Sequence, residues 1–259
     1  MLEIRGLTKH YRNHAVVDDV SFTIRPGEVT GYLGPNGSGK STTVKMITTL
    51  IEPTRGHVLL DGRDVRADLA GFKRRLGYVP EEPILYSYLT GLEYLQLMGR
   101  LRRLPEGQVA LKANRLLELF ALGPYRHAPI STYSKGMKQR VLISAALLHD
   151  PDVLILDEPL SGIDVTSAQL FQHLLSELAR AGKTILYISH VLEVVEKVCA
   201  QVVIIYKGKI RACDSVERLR DLMHLPSLVE IFAQLAEERD LEQAARDIVD
   251  VMSYSSSRI

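Results

Sequence analysis

Long apolar runs are missing from this chain. No stretch of its 259 residues approaches the roughly 18 consecutive apolar residues that a spanning helix needs. The opening Met1-Leu2-Glu3-Ile4-Arg5 carries charge at once, so no secretory leader is expected, and any work at a membrane would run through a partner. Cysteine is scarce too. Cys199 and Cys213 form no CxxC and have no histidine cluster beside them, which speaks against a disulfide scaffold or zinc site and for free thiols in a reducing compartment. An excess of one charge is also lacking. Lys+Arg number 32 and Asp+Glu 31, a net charge of +1, so no dedicated nucleic-acid binder is expected. There is no internal repeat. Low complexity is confined to Ser253-Tyr254-Ser255-Ser256-Ser257, read as a frayed end. What remains is 46% apolar and 24% charged, a composition that can bury a sizeable core.

The apolar pattern changes period along the chain. Leu2, Ile4, Val16, Val17, Val20, Phe22 and Ile24 predict short antiparallel strands, with turns near Arg12-Asn13 and Pro26-Gly27. Val29–Leu33, a Gly-rich turn and Ser41–Ile51 predict strand, loop and helix, and His57–Leu60 predicts another strand. From about Glu82 to Asp150, leucines recur near helical spacing and strand signals are absent, which predicts a helical lobe inserted into an α/β core. Val153–Leu156 and Thr184–Ile188 are near-continuous apolar runs, as strands covered on both faces require. A helix over Val165–Ala181 is expected between them, and a closing hairpin at Lys207-Gly208 after them. The segment Ser215–Asp250 holds nine acids and four bases and is expected to be helical, with a solvated face.

Two motifs carry chemistry. Gly34-Pro35-Asn36-Gly37-Ser38-Gly39-Lys40-Ser41 matches G-x-x-x-x-G-K-[ST], between an expected strand and an expected helix. Glycines let the backbone wrap closely enough to aim N–H groups at phosphate oxygens, and the helix start adds the positive end of its dipole. Lys40 would place a point charge on the β- and γ-phosphates, Ser41 would offer an oxygen to Mg²⁺, and Thr42 follows in the same nucleotide-binding run. Val153-Leu154-Ile155-Leu156-Asp157-Glu158-Pro159 ends a buried strand in two carboxylates, at the end where open α/β sheets bind ligands. Asp157 would hold the Mg²⁺ shell and Glu158 would act as general base on water. Strand alternation would point the two acids to separate tasks. Together the motifs predict a P-loop NTPase core.

Further residues resemble one family in particular. Tyr133-Ser134-Lys135-Gly136-Met137-Lys138-Gln139-Arg140 resembles the signature of ATP-binding cassette (ABC) ATPases, Ser161-Gly162-Ile163-Asp164 its D-loop, and His190 its switch histidine. Tyr11 stands where that family has an aromatic that stacks on adenine. The resemblance implies a P-loop core with a mainly parallel sheet, an N-terminal antiparallel β-subdomain and the helical lobe at about 82–150. These would form one ATPase domain over residues 1–214, followed by a short helical tail over 215–259. It implies ATP and Mg²⁺, two ATPs buried in a head-to-tail dimer, and a γ-phosphate switch on that interface. Ser134, Lys135, Gly136 and Met137 would cap the nucleotide of the other subunit. His190 would position the γ-phosphate and water, and Asp164 would couple the two sites.

Two departures from the family pattern stand out. The signature usually reads Leu-Ser-Gly-Gly-Gln, whereas Lys135 and Met137 replace a Gly and the Gln here. Glu81 stands where the family usually has a Gln that touches Mg²⁺ and water; a carboxylate there would either tighten Mg²⁺ binding or slow turnover. The signature variant and the tail around Leu225–Phe232 look like those of bacterial ABC-2-type exporters. That likeness implies a separate membrane permease as partner and a peripheral place on the cytoplasmic face of the membrane. Pro83, Ile84, Leu85, Tyr86 and Tyr88, with Arg100, Arg102 and Arg103 nearby, would receive the permease. The ATPase pair would be two copies of this chain or this chain with a relative. A non-transport module that closes on a protein or ribosomal partner is the alternative.

Overall fold

The computed structural model describes residues 1–12, 14–225, 227–235 and Val249. Strand β1 (Leu2–Tyr11) pairs antiparallel with β2 (His14–Ile24), Leu2 opposite Ile24 and Tyr11 opposite His14. The alternating apolar residues of both strands are buried, so this sheet has one covered face. Strand β3 (Val29–Leu33), buried throughout, feeds the Gly-rich turn and helix α1 (Lys40–Ile47). Strands β4 (Arg55–Leu60) and β5 (Arg63–Asp64) complete the first sheet in the order β2-β1-β4-β5.

Helix α2 (Leu69–Arg75) runs straight into strand β6 (Leu76–Val79). The lobe is built from α3 (Gly91–Leu101), α4 (Glu106–Leu119) and α5 (Lys135–Leu147). Thr90 and Glu93 form a reciprocal capping box at the start of α3. The core resumes with β7 (Val153–Asp157), α6 (Val165–Arg180), β8 (Thr184–Ile188) and α7 (Leu192–Val198). It closes with the hairpin β9 (Gln201–Tyr206) and β10 (Lys209–Ser215), then α8 (Val216–Met223) and α9 (Leu228–Leu235).

The second sheet has the order β10-β9-β3-β8-β7-β6, parallel throughout except for the β9–β10 pair. This is the expected α/β core with its mostly parallel sheet, and β3, β7 and β8 are buried on both faces. One face packs against the antiparallel sheet and α1, the other against α5, α6, α7 and the tail helices. The lobe has its own core around Leu95, Leu117, Ile130 and Val141. Helix α5 serves both bodies: Leu142 and Ile143 belong to the sheet core, Val141 to the lobe core.

Three details differ from the sequence pattern, and a fourth adds to it. Helix α1 ends at Ile47, not Ile51, because the chain turns through a left-handed Thr49 (φ 61°) just before Pro53. Strand β6 is only four residues long and follows α2 without a turn signal, so nothing in the pattern announces it. Helix α7 carries Val194, Val195 and Val198, a β-branched content that masks a short helix. In the tail, Val216, Leu219, Leu228 and Ile231 are buried against the sheet core, so α8 and α9 are docked on one side. Apart from Val249, residues 236–250 of the acidic segment and the Ser253–Ser257 end lie outside the described residues.

Candidate nucleotide site

The loop between β3 and α1 is shaped by backbone. Gly39 precedes α1 at φ 106°, and a Cβ there would lie 2.8 Å from the Val16 carbonyl oxygen, so glycine alone fits. Among the described residues no side chain caps α1, which leaves its first N–H groups for an anion. The turn is braced from both sides. Ser38 donates its N–H to Pro35 O, and Gly208 of the β9–β10 hairpin donates to Ser38 O at 2.9 Å. Below, the Tyr32 hydroxyl donates to Thr43 Oγ1, which in turn donates to Gly39 O. The Lys40 ammonium donates to the carbonyls of Gly34 (2.6 Å) and Pro35 (3.1 Å). Burial lowers the Lys40 pKa, and Glu158, Asp157 and Glu81 pull it back up.

Gly34–Gly37 and Gly39–Thr42 line a cleft of about 540 Å³ with Glu81, Asp157, Glu158, Ser189 and His190. Asp157 ends β7 and is 6% exposed. Burial, then the charges of Glu81 and Glu158, push its pKa up to about 6, against the pull of Lys40 and Lys45. Glu158 has already left the strand. Its φ is 46°, so a left-handed turn, rather than strand alternation, parts the two acids. The carboxylate of Glu158 is held by His190 Nδ1 at 2.7 Å on Oε1 and by the Ser189 hydroxyl at 3.3 Å on Oε2. An ionised carboxylate only accepts, so Nδ1 is the donor in the His190 contact.

Ser41, Glu81 and Asp157 offer hard oxygens at the cleft, and Asp157 is held in a field of excess negative charge. Among the described residues no three His, Cys, Asp or Glu side chains converge on one metal point. A partial oxygen shell of this kind fits Mg²⁺, which keeps waters and takes substrate phosphate oxygens.

A family profile described as "ABC transporter" matches residues 17–161, more than half of the chain. The chain belongs to the ABC transporter family. It is 39% identical over 216 residues to the ABC transporter ATP-binding protein NatA of Bacillus subtilis (strain 168), covering 81% of this chain and 88% of the relative. It is 35% identical over 250 residues to the Nod factor export ATP-binding protein I of Ralstonia nicotianae (strain ATCC BAA-1114 / GMI1000), covering 92% and 77%. Among solved structures, an ATP-binding subunit of an ABC transporter superposes with a TM-score of 0.86 at 33% identity, covering 91% of this chain and 99% of that one. A dimeric post-hydrolysis state of the ATP-binding cassette MJ0796 with ADP and Pi superposes with a TM-score of 0.77 at 25% identity, covering 83% and 98%. This chain is therefore an ATP-binding subunit of an ABC transporter, and an ATPase.

The signature of this ABC ATPase lies outside the cleft of its own chain. Ser134 caps α5 by accepting the Met137 N–H, and Met137 packs into the lobe core. Lys135 Nζ donates to Ser161 Oγ at 2.8 Å, and a Cβ on Gly136 would lie 2.4 Å from Gly162 O. The signature is thus pressed against the segment that leaves Glu158, whose carbonyl accepts the Ser161 N–H. Asp164 caps α6 through the Ser167 N–H and hydroxyl, which lower its pKa.

Tyr11 does not line the cleft; it is half exposed at the end of β1, with Lys9 Nζ 5.5 Å from its ring centre. Between core and lobe, Ile84, Tyr86 and Tyr88 are exposed, while Leu85 is partly buried. Arg102 is engaged by the Lys73 carbonyl and Arg100 by Glu106. Among the described residues no helix is long and apolar enough to cross a membrane. Val16, Ser189, Leu192 and Phe232 also line the cleft and were not anticipated. Ser189 could have been found, since it precedes His190 at the end of a buried strand. Phe232 could not, because it arrives from α9, far along the chain from every motif.

Proposed function

We propose that this ATPase drives export through a separate membrane permease, by ATP-dependent closure and hydrolytic reopening of a head-to-tail dimer. The observation that carries the reading is Glu158, held by His190 and Ser189 in the same cleft as the phosphate loop. In this reading the N–H groups of Gly37–Thr42 and the Lys40 ammonium bind the β- and γ-phosphates. Ser41, Glu81 and Asp157 would hold Mg²⁺, which would supply charge neutralisation to the phosphates. Glu158 accepts a proton from a water that attacks the γ-phosphorus. The bond from that phosphorus to the β–γ bridging oxygen breaks, giving ADP and phosphate. His190, fixed through Nδ1, would donate from Nε2 to the γ-phosphate as the imidazolium, with a proton on each ring nitrogen. Tyr11 turns onto the adenine.

Ser134, Lys135, Gly136 and Met137 of a second subunit cap the nucleotide. Their position outside this chain's own cleft supports capping from another subunit, and Asp164 ends the Ser161–Asp164 stretch that the signature packs against. The exposed Ile84, Tyr86 and Tyr88 offer the permease an apolar seat on the cytoplasmic face. Export is favoured because one relative is named for it.

The test is Glu158→Gln protein sized by light scattering with and without ATP. Turnover is expected to fall by about 10²–10⁴-fold, the reach of a general base. ATP is expected to convert monomer to dimer. Wild-type turnover in this variant would end the assignment of Glu158. A monomer that binds ATP would end the self-paired sandwich and point to a related chain as partner.

A further inference from the structure

We propose that Ser189 is a positioning residue for hydrolysis, its hydroxyl fixing the Glu158 carboxylate toward the attacking water. The inference rests on the reading of Glu158 as the general base.

Ser189 directly follows β8, is 3% exposed and has a hydroxyl committed on both sides. It accepts the Val191 N–H at 3.1 Å and sits 3.3 Å from Glu158 Oε2. A backbone N–H can only donate and an ionised carboxylate can only accept. The hydroxyl proton is thus available to Oε2, beside the Tyr187 hydroxyl that also approaches Ser189. Two residues flanking Ser189 supply further contacts of Glu158. The Ile188 carbonyl accepts its N–H at 3.0 Å, and His190 Nδ1 meets Oε1 at 2.7 Å. Three successive residues thus grip the backbone and both oxygens of one glutamate.

Glu158 needs such a grip. At φ 46° it has turned out of β7, so the pleat of the strand no longer aims its side chain. His190 is a poor sole anchor, because its side chain is 75% exposed and the same ring is asked to meet the γ-phosphate. The Ser189 contact is the buried one, in surroundings where a hydrogen bond counts for more. The Val191 bond alone would suffice to shape the turn. The bond to the acid is the one that bears on the reaction.

The test is steady-state ATPase kinetics of the full chain, with Ser189→Ala, Ser189→Thr and Ser189→Val compared in parallel. Loss of the hydroxyl should lower kcat by about 10–100-fold, the scale of a misplaced reacting group. The KM for ATP should stay within about twofold, because no ground-state contact to nucleotide is lost. Ser189→Thr should restore most of the rate, while Ser189→Val, of the same shape as the threonine but without the hydroxyl, should stay as slow as Ser189→Ala. In a Glu158→Gln background, Ser189→Ala should cost nothing further, since residues acting as a unit are not additive. The inference is overturned by near-wild-type kcat in Ser189→Ala, by equal rates for the Thr and Val variants, or by an undiminished loss in the Glu158→Gln background. Wild-type turnover in Glu158→Gln alone would instead bring down the general-base reading itself.

Discussion

Asp157→Asn should make the nucleotide-free protein more stable and the enzyme worse. Asp157 is almost fully buried at the end of β7, and its pKa rises from an ordinary 3.8 to about 6. Burial is the main cause, and the charges of Glu81 and Glu158 add to it. The folded carboxyl thus keeps its proton between roughly pH 4 and 6, where the unfolded chain has released it. Stability falls as pH rises through that window, and the loss is complete above it. A shift of about two units at about 1.4 kcal/mol each corresponds to about 3 kcal/mol at neutral pH. Asparagine keeps the shape and removes the charge. For a chain of this size that corresponds to a Tm gain of roughly 6–12 °C at pH 7. The assay is thermal unfolding of both proteins without nucleotide, from about pH 4 to about pH 7 in unit steps. The two should coincide at the acid end and separate as pH rises. An Asp157→Asn protein less stable than wild type at neutral pH, or a difference independent of pH, would refute the electrostatic argument.

Lys40→Ala should abolish tight ATP binding in equilibrium titration, because the ammonium that reaches the carbonyls of the phosphate loop is removed. Gly136→Ala should destabilise by about 1–3 kcal/mol in urea unfolding, since its Cβ would meet the Gly162 carbonyl at 2.4 Å and backbone must shift. The same variant should hydrolyse ATP more slowly, because the shift reaches the segment bonded to Glu158 through Ser161.

Much of the fold was legible because long parallel strands announce themselves. Val153–Leu156 and Thr184–Ile188 are apolar runs that only a doubly covered sheet can use. The phosphate loop was legible for a different reason: its residue types are set by close backbone approach, as Gly39 shows against the Val16 carbonyl. What escaped had no local signal. Strand β6 is too short for a period, and α7 is written in valines. The roles of Asp157 and Glu158 were read from a strand's alternation, yet Glu158 sits in a left-handed turn whose conformation no pattern encodes. Ser189 was visible only as a neighbour of His190, because its meaning lies in a contact 31 positions back along the chain.

Helix α9 brings Phe232 into the wall of the cleft, alongside Leu192 and the phosphate loop, while Leu228 and Ile231 anchor it in the sheet core. The shared family profile stops at residue 161, long before that wall is built. Part of the cleft wall in this chain therefore lies outside the motifs. Two cassettes with identical loops, signatures and switch histidines would still present different chambers to ATP if their last helices differed. Trimming the chain before Leu228 would remove Phe232 from that wall. In such a protein the tail is where a lineage could change its rate of ATP use while leaving every diagnostic residue untouched.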